Sequence, residues 1–194
     1  GDHIIELAGQ GVDTVIVADA SYLMLDNFEN LILAGAGNTV GIGNKLGNEM
    51  TGNADNNQLL GVDGNDTLKG GAGIDTLTGG KGDDLFYVET AGDKVSEDLD
   101  QGKDTVRTAL ITYTLTDNVE NLEQLAGGGT GTGNGLANRI TGEGGGNTLH
   151  GQGGNDSIDA GGGDDELHGE ADNDSLNGGE GNDWLFGGLG ADIM

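Results

Sequence analysis

Twelve side chains carrying carboxylate or amide oxygens recur at nine-residue steps in two series. The first is Asn48, Asn57, Asp66, Asp75 and Asp84; the second is Asn138, Asn147, Asp156, Asp165, Asp174, Asp183 and Asp192. Oxygen donors repeated in this way, with no sulfur ligand among them, suit a hard divalent cation. The absence of Cys removes thiolate metal sites, disulfides and a cysteine nucleophile. No G-x-S-x-G, H-E-x-x-H or phosphate-loop pattern occurs, so the chain is not expected to be an enzyme itself, whatever the activity of a parent protein.

The elements that must position these oxygens are legible in the columns around them. Gly70 to Thr78 and Gly79 to Tyr87 both read G-G-x-G-x-D-x-U-x with U apolar, and the same register fits twelve units over residues 43–87 and 133–194. Column eight is apolar in all twelve units, an event of about two in a million for a chain that is 34% apolar. One apolar residue in nine cannot make a helix stripe, but it suits a short strand with its middle side chain turned inward. Glycine in columns one, two and four is expected to supply the left-handed backbone of the intervening turns. Two strands and two turns close a coil of 18 residues, which makes the fold class all-β, a parallel β-roll or β-solenoid. Acids two units apart then stack at roughly 4.8 Å. Unscreened, they repel; several calcium ions seated between turns, bound by Asp and turn carbonyls, would remove that repulsion.

A longer repeat encloses the short one. Gly11 to Val15 recurs as Gly102 to Val106, and Asn27 to Leu31 as Asn118 to Leu122, at an offset of 91 that becomes 90 further on. The expected organisation is two cassettes in tandem. Residues 1–91 hold a lead-in (1–42) and an array (43–87); residues 92–194 hold a lead-in to 132 and an array (133–194).

Composition restricts the partners. With 34 acidic and 7 basic residues the net charge is −27, which disfavours nucleic acid and other polyanions, including acidic polysaccharides unless calcium bridges them. The 42 glycines come without proline and without a three-residue period, so this is no collagen. No apolar run of about 18 residues is present to insert into a membrane. Gly1 is not an initiator Met, and the chain is read as a segment of a longer protein.

The tandem units Gly61 to Lys69, Gly70 to Thr78, Gly79 to Tyr87, Gly151 to Asp159, Gly178 to Phe186 and Gly187 to Met194 resemble the RTX, or hemolysin-type, calcium-binding nonapeptides. The resemblance implies a calcium-binding β-roll, bacterial, secreted by the type I machinery, extracellular or at the cell surface, that folds as calcium arrives. It also implies ligand pairs Asp66/Asp84, Asp156/Asp174, Asp165/Asp183 and Asp174/Asp192. Weaker pairs follow where an amide replaces a carboxylate: Asn57/Asp75, Asn147/Asp165, Asn48/Asp66 and Asn138/Asp156. Asp13 and Asp104, each ending a Gly-x-Asp turn outside the arrays, are added as ligands. Column four departs from glycine at Leu46, Asp55, Leu136 and Asp172. The alternative function is a non-catalytic carbohydrate-binding or substrate-positioning module of a secreted epimerase, lyase or protease, with Trp184 as a stacking platform and polysaccharide as partner. His150 and His168, one coil apart in column nine, are expected to stack on an outer face.

Overall fold

Side chains alternate in direction along a strand, so a polar-apolar-polar triplet buries its middle residue and leaves its flanks wet. The computed structural model describes residues 7, 9, 11–18 and 21–194; positions 1–6, 8, 10, 19 and 20 of the first lead-in lie outside the described residues. Among the described residues the chain is all-β, with twenty strands and no helix. It forms two compact units, Gly1–Gly102 and Lys103–Met194.

In the first unit, β1 (Thr14–Val17), β3 (Asn30–Leu33), β5 (Glu49–Thr51), β7 (Thr67–Lys69) and β9 (Leu85–Val88) pair in parallel in that order. Alternating with them along the chain, β2 (Ser21–Leu23), β4 (Val40–Ile42), β6 (Gln58–Asp63), β8 (Thr76–Lys81) and β10 (Lys94–Ser96) form the facing parallel ladder. The second unit repeats the scheme. Its odd strands are β11 (Thr105–Thr108), β13 (Asn121–Gln124), β15 (Arg139–Thr141), β17 (Ser157–Asp159) and β19 (Ser175–Asn177). Its even strands are β12 (Thr112–Thr114), β14 (Thr130–Thr132), β16 (Thr148–Gln152), β18 (Glu166–Ala171) and β20 (Trp184–Leu189).

Within the arrays, partners are 18 residues apart, as in Leu68 with Phe86 and Leu149 with Leu167. The lead-ins are less even. Thr14 pairs with Asn30, a step of 16, and Asn30 with Glu49, a step of 19, whereas Asn121 pairs with Arg139 at 18. The extra residue lies in the β3–β4 turn and is the physical origin of the slip from 91 to 90.

Column eight fills the interior. Met50, Leu59, Leu68, Leu77, Phe86, Ile140, Leu149, Ile158, Leu167 and Leu176 are buried. Each such side chain contributes about 1.5–3 kcal/mol of burial free energy. Leu185 is half-buried and Met194 exposed.

The turns divide the work of their glycines differently from expectation. Columns two and four do carry the left-handed backbone, as at Gly71 (φ 92°) and Gly73 (φ 113°). Column-one glycines do not; none has a positive φ. They are glycine for want of room, since a Cβ on Gly61 would collide with Asp66 Oδ2 and the carbonyl oxygen of Gly79 one coil on. Where column four is not glycine, an Asn in column two braces the turn: Leu46, Asp55 and Leu136 donate their N–H to the side-chain oxygens of Asn44, Asn53 and Asn134 at 2.8, 2.8 and 2.9 Å. Such Asx turns need no left-handed residue. Asp172 is different, adopting φ 77° and turning its carboxylate to the N–H of Gly154.

Candidate metal centres

Each strand pairing places a column-six residue directly beneath its counterpart one coil later. The later carboxylate then caps the earlier backbone: Asp66 Oδ1 accepts the N–H of Asn48 at 2.7 Å, Asp84 that of Asp66 at 2.7 Å, and Asp75 that of Asn57 at 2.7 Å. In the second unit Asp156 accepts from Asn138, Asp174 from Asp156, Asp165 from Asn147, Asp183 from Asp165 and Asp192 from Asp174, all at 2.7–3.0 Å. The structure therefore brings together all four expected carboxylate pairs.

The second oxygen of each acid has another fate. Oδ2 of Asp66, Asp75, Asp156, Asp165 and Asp174 is buried and accepts no hydrogen bond. For Asp66, Asp75, Asp156 and Asp174 it points into the space left by a column-one glycine, whereas Asp165 has Ala160 in that column; at Gly61, Gly151 and Gly169 the next coil's carbonyl, of Gly79, Gly169 and Gly187 respectively, faces the same space. A buried carboxylate oxygen without a donor costs free energy on the order of 1–3 kcal/mol or more. Asp183 and Asp192 repeat the arrangement beside Gly178 and Gly187, half-buried.

Electrostatics registers the strain. Burial pushes Asp66 and Asp156 up to about 7, against the lowering effect of the Asn48 and Asn138 amides, with the neighbouring Asp84 and Asp174 carboxylates adding to the rise. Asp75 and Asp174 are raised for the same first cause. Oxygen-only donors, orphaned acceptors and glycine-lined space fit a hard divalent cation. Bound there, such an ion would supply the positive charge that cancels the carboxylate repulsion. Among the described residues no three His, Cys, Asp or Glu side chains converge on one point, so backbone carbonyls must furnish much of any ligand set.

The asparagines behave differently. Asn48 Nδ2 donates to the carbonyls of Phe28 (3.1 Å) and Glu29 (3.4 Å), and Asn138 Nδ2 to those of Val119 (3.3 Å) and Glu120 (3.2 Å). Asn57 Nδ2 donates to Thr39 Oγ1 at 2.9 Å. Asn147 Nδ2 sits among three carbonyls, donating to Glu143 and Gly145 at 2.8 Å and to Ala160 at 3.4 Å. At the start of each array, then, an amide N–H₂ group occupies oxygen-lined space with no ion needed.

Asp13 and Asp104 lie on the first coil of each unit, their backbone N–H groups donating to Glu29 Oε2 (3.0 Å) and Glu120 Oε2 (2.8 Å). Asp13 Oδ2 is another buried oxygen without a donor. Two acids outside the sequence-derived set join the array: Asp93 Oδ1 accepts the N–H of Asp75 at 3.0 Å, and Glu97 Oε1 accepts that of Gly79 at 2.6 Å. A Cβ on Gly79 would meet both Asp84 Oδ2 and Glu97 Oε1, and burial, then the Asp84 charge, holds Glu97 above the usual carboxylate range. Both lie 18 residues past an array position, Asp75 and Gly79, so carrying the period one coil beyond Tyr87 finds them.

The profile describing the RTX calcium-binding nonapeptide repeat, in four copies, matches residues 60–93, 132–167 and 159–194, half of the chain. No curated protein matches it. With its glycine-spaced turns, stacked acids and 18-residue coils, this chain belongs to the RTX calcium-binding nonapeptide repeat family.

Proposed function

We propose that this chain is a calcium-binding β-roll segment of a larger secreted bacterial RTX protein, one that folds as calcium enters its turns outside the cell. The ligands in this reading are Asp66, Asp75, Asp84, Asp156, Asp165, Asp174, Asp183 and Asp192, with turn carbonyls completing each set. Asp13 and Asp104 serve the first coils. Asn57 and Asn147 line the sites that open each array, where their amides already fill the space by hydrogen bonding. The single observation that carries the reading is the row of buried Oδ2 oxygens without a donor.

Extracellular calcium modules bind at roughly 10⁻⁴ to 10⁻³ M. A chain tuned to that range stays unfolded in a calcium-poor cytosol, passes a type I secretion channel extended, and folds where calcium is plentiful, because the binding free energy is folding free energy. The segment has no catalytic role in this reading. Far-UV circular dichroism at about pH 8 in chelator and in millimolar calcium tests it: at that pH β signal should develop only with calcium, and equal β content in both conditions would sink the proposal.

A further inference from the structure

The outer face of one ladder in the second unit changes character along its length. In the first register row, Thr112, Thr130, Thr148, Glu166 and Trp184 are successive partners across β12, β14, β16, β18 and β20. Two residues on, Thr132, His150, His168 and Phe186 follow one another in the same way. The rings of His150, His168 and Phe186 stack face to face at 4.7 and 4.8 Å, which covers both faces of His168 and one face each of His150 and Phe186. Trp184 is not part of that stack. It is 68% exposed, tilted 59° to Phe186 at 6.4 Å, and forms one wall of a cleft of about 400 Å³ whose other side is the turn bearing Asp164 and Asn182.

The polar groups of this cleft are nearly all acceptors. Asp164 Oδ1 takes the backbone N–H and the Nδ2 of Asn182 at 2.9 and 3.2 Å, which leaves Asp164 Oδ2 and Asn182 Oδ1 for a ligand. His168 Nε2 donates to Glu166 Oε1 at 2.9 Å, leaving Oε2. Thr148 contributes the one hydroxyl, and Asn147 and the buried Asp165, both placed at calcium sites above, complete the polar lining. Two carboxylates and an amide oxygen beside an open indole face call for a ligand rich in donors and positively charged. A volume of about 400 Å³ has room for more than the tip of an alkylammonium chain, and a flat indole of this exposure offers a stacking surface for a sugar ring.

We propose that this cleft binds an amino sugar, its pyranose face on Trp184 and its ammonium group between Asp164 and Glu166. The cleft borders the turn whose Asn147 and Asp165 belong to the calcium reading, so the proposal rests on that reading for a folded, calcium-loaded unit.

Trp184 is the single tryptophan of the chain, so its emission reports on this cleft alone. The full chain in saturating calcium is titrated with a glucosamine trimer, its fully N-acetylated counterpart and trilysine. The glucosamine trimer should shift the emission and bind about tenfold tighter than either comparison ligand, since only it offers both a cation for charge-assisted bonds to the carboxylates and a sugar ring for the indole. Glu166→Gln and Asp164→Asn should each weaken it about fivefold or more while leaving the circular dichroism spectrum unchanged, since both side chains are exposed and the loss is that of a charge-assisted bond. If Asp164→Asn perturbs the fold through its bond to Asn182, Glu166→Gln alone decides. Equal binding of the acetylated trimer, equal binding of trilysine, or no change in emission with the glucosamine trimer would each overturn the proposal. A chain that is fully folded yet silent to the glucosamine trimer rejects the cleft without touching the calcium reading.

Discussion

Asp66 gives its backbone N–H to Asp84 Oδ1, 2.7 Å away and 18 residues later in the chain. Each acid thus spends one oxygen fixing the coil before it and keeps the other turned into its own turn. The bond is worth about 1.5–3 kcal/mol as a contact to a charged acceptor, whereas two carboxylates one coil apart repel by about 3 kcal/mol at an intermediate dielectric. The two effects are of one size, so in the proposed reading compensation of the charge tips the balance toward closure.

Asp174 is the acid with most to lose. It caps Asp156 above and is itself capped by Asp192. Asp174→Ala should reduce the number of calcium ions bound, by isothermal titration, by up to two. The variant should also lose about 2.7 kcal/mol of calcium-dependent stability per site when calcium exceeds Kd a hundredfold. An unchanged stoichiometry would remove Asp174 from the ligand set.

The raised acids set a direction for pH. Asp66 and Asp156 are held near 7 in the folded chain against an ordinary value of 3.8. A folded-state value above the unfolded one means that the folded chain binds protons more tightly, so the metal-free fold loses stability as pH rises between those two values. Without calcium, β signal by circular dichroism should therefore increase on acidification from about pH 8 to pH 5. Calcium binding near neutrality should release protons, detectable as a dependence of the titration heat on buffer ionisation enthalpy. Metal-free β content that falls on acidification would contradict the assignment.

Gly61 and Gly37 separate two reasons for glycine. Gly61 has ordinary backbone but no room, whereas Gly37 has φ 95° and nothing near its missing Cβ. Gly61→Ala should cost at least one bound calcium; Gly37→Ala should cost about 1 kcal/mol of strain with the ion count intact. Calcium titration with thermal unfolding reads both, and identical behaviour of the two variants would refute the distinction.

The opening asparagines should not tolerate charge. Asn138→Asp sets a carboxylate against the carbonyls of Val119 and Glu120, while Asn138→Ala merely leaves them without a donor. The melting temperature in calcium should fall further for the Asp variant, by a margin equivalent to about 1–3 kcal/mol. An Asp variant as stable as the natural chain would show that these carbonyls face an ion instead.

Much of this was readable because the nonapeptide columns are strict: the apolar column predicts a core running from Met50 to Met194, which the structure buries as far as Leu176, and the spacing of 18 predicts the stacked imidazoles of His150 and His168. What escaped lies where the pattern loosens. Asp93 and Glu97 follow Tyr87, where columns one, two and four cease to be glycine (Val88, Glu89 and Ala91) but the coil does not end, and a search keyed to those glycines ends too early. The switch from Asp to Asn in column six is visible in sequence, but its cause is not. At Asn48 and Asn138 the preceding coil presents carbonyls, of Phe28 and Val119, where it presents the Asn48 N–H to Asp66. The two roles of glycine in the turn are likewise indistinguishable until the backbone is seen.

The hydrogen bonds that join successive coils all run along the stacking direction, while the chain runs across it. Tension applied along that direction therefore loads one rung at a time, and the end coil peels before the next one feels the load. Each array coil that gives way frees 18 residues, about 60 Å of extended chain. Under force, an array of this kind behaves as a staircase of equal extensions, with the height of each step set by whether the ion beneath it is in place.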